Sequence, residues 1–97
     1  MAAYVIAGIE VTEPEAYAEY VHGVPATLEP YGGRFVVRGG ALDVMEGEWP
    51  AARTVIIGFP SVEQAKAWYE SAAYQALLPI RQRHARTDFL VVVEGVS

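Results

Sequence analysis

The side chains able to do chemistry in this sequence are tyrosines, arginines and two histidines, because it holds no cysteine and only three serines. Tyr17, Tyr20 and Tyr31 fall on one side of a helical segment, and Tyr69 and Tyr74 on the inner side of a second. An inward hydroxyl needs a partner or a ligand, since burying a polar group unpaired is unfavourable. The same rings also serve as core filler when their hydroxyls reach the surface or a carbonyl. Arg81 shares a helical stripe with Leu77, Leu78 and Ala85, while Arg38 sits in a strand with Arg34 and Arg53 at strand edges. A guanidinium aimed into a partly closed cavity is a natural anchor for a carboxylate or enolate. The competing reading is an ion pair with Asp43, Glu46 or Glu48. The candidate ligand-binding residues are therefore Arg38, Tyr20, Tyr31, Tyr69 and Arg81, with a small anion as the ligand class and no catalytic residue assigned.

Other chemistries fare worse. His22 invites a general-base role because imidazoles titrate near neutrality, but its wheel position lies among glutamates on the solvent side. His22 and His84 make no His-x-His or His-Glu-x-x-His spacing, so no metal site is expected. Ser61 is explained as a helix cap and Ser97 as the last residue, leaving no hydrolytic triad. The pairs Gly32-Gly33 and Gly39-Gly40 do not open helices, so they suit helix termination and a strand bend rather than a phosphate cradle.

Composition narrows the class further. Ninety-seven residues suit one domain spanning 1–97, and 53% hydrophobic content is high for a chain of that size. Net charge is -5, with five glutamates and no Lys or Arg in residues 1–33. The cations cluster late, at Arg81, Arg83, His84 and Arg86, where a helix end would welcome them. That balance argues against nucleic acid. No apolar run approaches the ~20 residues a membrane span requires. The absence of cysteine and of a basic, apolar leader points to the cytoplasm.

The elements that must position these groups follow from periodicity. Residues 3–11 predict a strand, and Thr12 with Glu15 and Pro14 predicts a capped helix start. That helix runs to about Tyr31, bent or broken at Pro25, with Tyr17, Tyr20, Val21, Val24, Leu28 and Tyr31 inward. Residues 34 to about 45 predict a second strand interrupted at Gly39-Gly40, and Arg53–Phe59 a third, pairing with it as a hairpin after a turn over 46–50. Ser61 with Gln64 predicts a capping box, and Val62, Ala65, Tyr69, Ala72 and Ala73 mark the buried stripe that follows. A break near Ser71 and a perturbation at Pro79 are expected before a last strand over 88–94. The order is a ferredoxin-like βαββαβ sandwich of the α+β class, a four-stranded antiparallel sheet with two helices on one face.

Both faces of that sheet are apolar. In the first strand Val5, Ala7, Ile9 and Val11 alternate with Tyr4, Ile6 and Gly8; in the last, Phe89, Val91 and Val93 alternate with Leu90 and Val92. Two helices cover one face, so the other predicts a homodimer packed sheet on sheet.

Several stretches carry a resemblance to a known family. They are Tyr31–Gly40, Glu46-Gly-Glu-Trp-Pro50 with Arg53, Phe59-Pro-Ser61, Ala67-Trp-Tyr-Glu-Ser71 and Tyr74-Gln75, and together they resemble the DUF1330 family over essentially the whole chain. The Ile80–His84 stretch departs from it. The resemblance implies a subunit of the dimeric α/β barrel superfamily, whose members hold ligands between helices and sheet. It implies no reaction. Two readings follow: a small-molecule-binding subunit or cofactor-free enzyme with its pocket lined by tyrosines and Trp68, or a non-enzymatic dimeric interaction module. No cofactor motif is present, so proton transfer or oxygenation without a cofactor suits the first reading.

Overall fold

Apolar residues alternate with apolar residues along Ala3–Val11, and this segment forms β1. The computed structural model describes residues 1–97, and its remaining elements are α1 (Pro14–Leu28), a 3-10 turn (Glu29–Tyr31), β2 (Arg34–Arg38), β3 (Arg53–Phe59), α2 (Val62–Glu70), α3 (Ala72–His84) and β4 (Ala85–Glu94). The strands make one antiparallel sheet in the order β2-β3-β1-β4. This is the expected ferredoxin-like α+β arrangement, with the second helical segment divided in two. No helix is long and apolar enough to cross a membrane.

The core lies between one sheet face and the helices. Val5, Ala7 and Ile9 of β1 and Ile57 and Phe59 of β3 meet Tyr17, Tyr20, Val24 and Leu28 of α1 and Ala65, Trp68 and Tyr74 of α2 and α3. Fully burying an aliphatic side chain contributes roughly 1.5–3 kcal/mol, so this cluster dominates stability. Trp68 is its largest member, 1% exposed, and its indole N–H donates to Thr27 Oγ1 at 2.9 Å. Thr27 in turn donates to the Val24 carbonyl at 2.6 Å, which leaves no polar atom of that group orphaned.

Several local expectations need correction. Thr12 does not cap α1: the N-cap position falls on Glu13 and no side chain caps it. The Thr12 and Glu13 amides both donate to the His84 carbonyl, so the chain there is still tied to the α3–β4 junction. Pro25 does not break α1, which continues to Leu28 before tightening into the 3-10 turn. Gly32, at φ 71°, then ends the helical path. β2 stops at Arg38 rather than near Met45; Gly39 turns out of the sheet at φ 72°, and residues 40–50 are exposed. The irregularity expected at Gly39-Gly40 is a bulge between Phe35 and Val37.

The stripe predicted for the second helix loses its phase at the Ser71 break. Ala65 and Trp68 are buried, Val62 and Tyr69 half-buried, and Ala72 and Ala73 exposed. Ser61 caps α2 through the Gln64 amide as expected, and Ser71 caps α3 through the Tyr74 amide at 3.2 Å. Pro79 sits inside α3 without ending it, and β4 starts directly at Ala85, three residues earlier than predicted.

The second sheet face is neither bare nor fully covered. Trp49 folds back from the β2–β3 connection, donating to Thr54 Oγ1 at 2.8 Å and standing edge-on to Phe89. Ala51 lies over Gly8, where an added Cβ would come within 2.6 Å of it. Val91 and Val93 remain 46% exposed beside half-buried Tyr4, Ile6 and Ile56.

Candidate functional site

A cleft opens between α1 and the inner face of the sheet, with a volume of about 470 Å³ including its mouth. The centre of a water molecule can reach only about 40 Å³ of that space, so the floor is snug. Twelve of its fourteen lining residues are hydrophobic, among them Val5, Ile9, Val24 and Ile57. Tyr17, Tyr20, Phe35, Trp68, Arg38 and Arg53 complete its chemical character.

Each element sets one part of this wall. The i, i+3 spacing of Tyr17 and Tyr20 stacks their rings 5.1 Å apart on the inner side of α1. Arg38 ends β2, its guanidinium 4.2 Å above the Phe35 ring, and its Nη2 donates to the Val21 carbonyl at 2.7 Å. Arg53 opens β3 beside Gly39, where a Cβ would come within 2.6 Å of Arg53 Nη1. Gly39 thus turns the chain and leaves room for the guanidinium. Capping by Ser71 starts α3 so that Tyr74 lies wholly buried, 4.1 Å from the Trp68 ring.

The expected ion pairs of the arginines do not form. The ion pairs of the chain are His84–Glu13, Arg86–Glu10 and Arg86–Asp88. Asp43, Glu46 and Glu48 lie in the exposed connection, where water solvates them. Arg38 and Arg53 therefore bring two positive charges to the cleft with no carboxylate to neutralise them.

Of the five residues singled out by sequence, Arg38 and Tyr20 line the cleft. Tyr31 is half-buried in the 3-10 turn, its carbonyl accepting from Gln64 Nε2 at 3.3 Å. Tyr69 packs beside Trp68 and Tyr74 and faces a shallow depression with Lys66, Glu70, Leu90 and Val92. Arg81 is 4% exposed, behind the tyrosines rather than in the cleft wall. It leaves the cationic cluster expected at the end of α3, where Arg83 stays exposed and His84 pairs with Glu13 at 3.0 Å. His22 is exposed, as its wheel position predicts.

Arg53 and Tyr17 also belong to the site. For Tyr17 the i, i+3 relation to Tyr20 was a usable signal. For Arg53 the sequence offered only its strand-edge place near Arg38, because its approach to the cleft depends on the Gly39 turn.

Burial raises the Tyr17 phenol above its ordinary range, although Arg53 and Arg81 pull it down. Burial raises Tyr20 much further, reinforced by Tyr74, whose hydroxyl lies 2.7 Å from its own. Both phenols are thus neutral donors near pH 7. At Arg81 burial opposes the charge, and Tyr74 and Tyr20 more than offset this, so its pKa stands above the ordinary value. No three His, Cys, Asp or Glu side chains converge on a point that could hold a metal ion.

Known proteins place the fold. A protein of unknown function from Rhodopseudomonas palustris superposes with a TM-score of 0.73 at 18% identity, covering 99% of this chain and 83% of its own. HapK from Hahella chejuensis gives 0.68 at 19% identity, covering 98% and 93%. SnoaB from Streptomyces nogalater, described as a cofactor-independent oxygenase, gives 0.65 at 7% identity, covering 99% and 94%. No curated protein matches the sequence. The model of DUF1330, a domain of unknown function, matches residues 2–96, and the chain belongs to that family.

Proposed function

We propose that this chain binds a small organic anion in the cleft between α1 and the sheet, as one subunit of a homodimer. The observation that carries this reading is the placing of Arg38 and Arg53, without carboxylate partners, on a cleft whose lining is otherwise largely apolar. An apolar body fits among Val5, Val24 and Ile57, and its carboxylate or enolate meets the guanidinium groups. The likeness to SnoaB, at 7% identity a likeness of fold alone, is compatible with cofactor-free chemistry on such a ligand.

The dimer rests on the second sheet face. Val91, Val93 and Val36 are 46%, 46% and 50% exposed around half-buried Ile6 and Ile56, a continuous apolar surface that an identical face would cover. The absence of cysteine supports a reducing compartment such as the cytoplasm.

Calorimetric titration with 4-phenylbutanoate and with neutral 4-phenylbutanamide tests the ligand class. The carboxylate should bind at least about tenfold more tightly, the worth of one charge-assisted hydrogen bond. Equal affinities, or no binding of either, would contradict the proposal.

A further inference from the structure

Arg81 is the only charged residue among the buried ones, and it forms no ion pair. Its side chain is 4% exposed, and no carboxylate lies within ion-pair distance. Nη1 donates to Thr87 Oγ1, and Nε has no partner. Leaving a guanidinium buried without a counter-charge is strongly unfavourable unless its hydrogen bonds are well placed. Two turns before Arg81, on the same buried face of α3, stands Tyr74, itself 0% exposed. The Tyr74 hydroxyl lies 2.7 Å from that of Tyr20, and Tyr20 lines the cleft.

Direction follows from elementary donor counting. A guanidinium has N–H donors and no acceptor, so in any bond with Tyr74 the phenol oxygen accepts. Tyr74 is fully buried and Tyr20 is the only hydrogen-bond partner found for its hydroxyl, so the proton that must be satisfied points to the Tyr20 oxygen. Tyr20 accepts that proton's bond and keeps its own O–H for another acceptor, its one side-chain hydrogen bond in the chain being the one to Tyr74. A positive charge two links behind makes each hydroxyl in the line a stronger donor, an effect that a dry interior enlarges.

Resting on the anion-binding reading above, we propose that Arg81, Tyr74 and Tyr20 form a one-way line of hydrogen-bond donors that offers the Tyr20 proton to a carbonyl or enolate oxygen at the cleft floor. The ligand class is thereby narrowed. It carries an anionic group for Arg38 and Arg53, an apolar body, and a second oxygen that accepts a hydrogen bond or develops negative charge. Tyr20 touches the ligand; Tyr74 and Arg81 are positioning residues that act through it.

Two probes of matched shape read this out: 4-oxo-4-phenylbutanoate, which carries the additional carbonyl, and 4-phenylbutanoate, which lacks it. Wild-type protein should prefer the keto acid by about tenfold, as expected for a strengthened hydrogen bond. Y20F should abolish that preference, so that the two probes bind with equal affinity. Y74F, which keeps the ring and cuts the line, should shrink the preference, and so should R81Q; R81K should retain part of it. The affinity ratio of the two probes is insensitive to a general loss of stability, so a purely structural role for Arg81 would leave it unchanged. Equal binding of both probes to wild type, or a preference that survives Y20F, overturns the donor line and leaves the arginine reading standing. Failure of both probes to bind overturns the cleft reading and this inference with it.

Discussion

Arg38 Nη2 lies 2.7 Å from the carbonyl oxygen of Val21, the one carbonyl of α1 that Pro25 deprives of its helical donor. In an α-helix the amide of residue 25 would bond that oxygen, and proline has no amide hydrogen. A strand residue thus repairs the helix, and in doing so its guanidinium is held over Phe35 at the cleft.

The repair predicts a double-mutant cycle. Arg38→Ala should lower stability by about 0.5–1.5 kcal/mol, since it orphans the Val21 carbonyl. In a Pro25→Ala background residue 25 supplies its own amide, so the cost of Arg38→Ala should fall toward zero. Chemical denaturation of the four proteins measures the coupling. Additive effects would show that Arg38 does not serve that carbonyl.

Alkaline pH probes the buried phenols. Tyr17 and Tyr20 both stand above the ordinary tyrosine value in the folded chain, because burial disfavours their anions. Their contribution is fully present below about pH 10, where the unfolded phenols are also protonated, and is lost as pH rises above that value. The melting temperature should therefore drop more steeply above pH 10 for wild type than for Tyr20→Phe. Phenolate absorbance should show Tyr17 and Tyr20 ionising above the range of a free tyrosine. A native spectrum in which all six tyrosines titrate together near pH 10 would refute this.

Thr27→Val should leave the Trp68 indole N–H buried without an acceptor at nearly unchanged volume. A cost of about 1–3 kcal/mol is expected, with a changed environment in the tryptophan fluorescence. A neutral effect on the denaturation midpoint would mean that the Trp68 N–H finds another acceptor.

The open sheet face predicts association. Replacing Val91 and Val93 with lysine should convert a dimer into a monomer in analytical ultracentrifugation at micromolar concentration, because like charges would face each other across the two-fold axis. A wild-type protein that sediments as a monomer would remove the homodimer from the account.

What the sequence disclosed, and what it hid, divides by range. β1 and β3 were legible because their largely apolar runs stop at the residues that flank them, Thr12 and Pro60. The Ser71 break was legible because a serine placed three residues before the Tyr74 amide is a local cap. The arginine at the cleft was expected at Arg38, but its bond to Val21 depends on how β2 lies against α1, a tertiary fact with no local signature. Arg53 depends likewise on the Gly39 turn, and the Trp49 flap on a long connection whose polar residues resemble any exposed loop. Thr12 misled because a capping pattern says nothing of a competing backbone bond to His84.

The central claim is that an anion is held by arginines on this cleft, and a crystal structure of the protein with 4-phenylbutanoate tests it most directly. The account predicts the phenyl ring between α1 and the sheet, with carboxylate oxygens about 2.7–2.9 Å from guanidinium nitrogens of Arg38 or Arg53. A carboxylate turned to solvent with neither arginine in reach, or a ligand seated on the opposite sheet face, would contradict it.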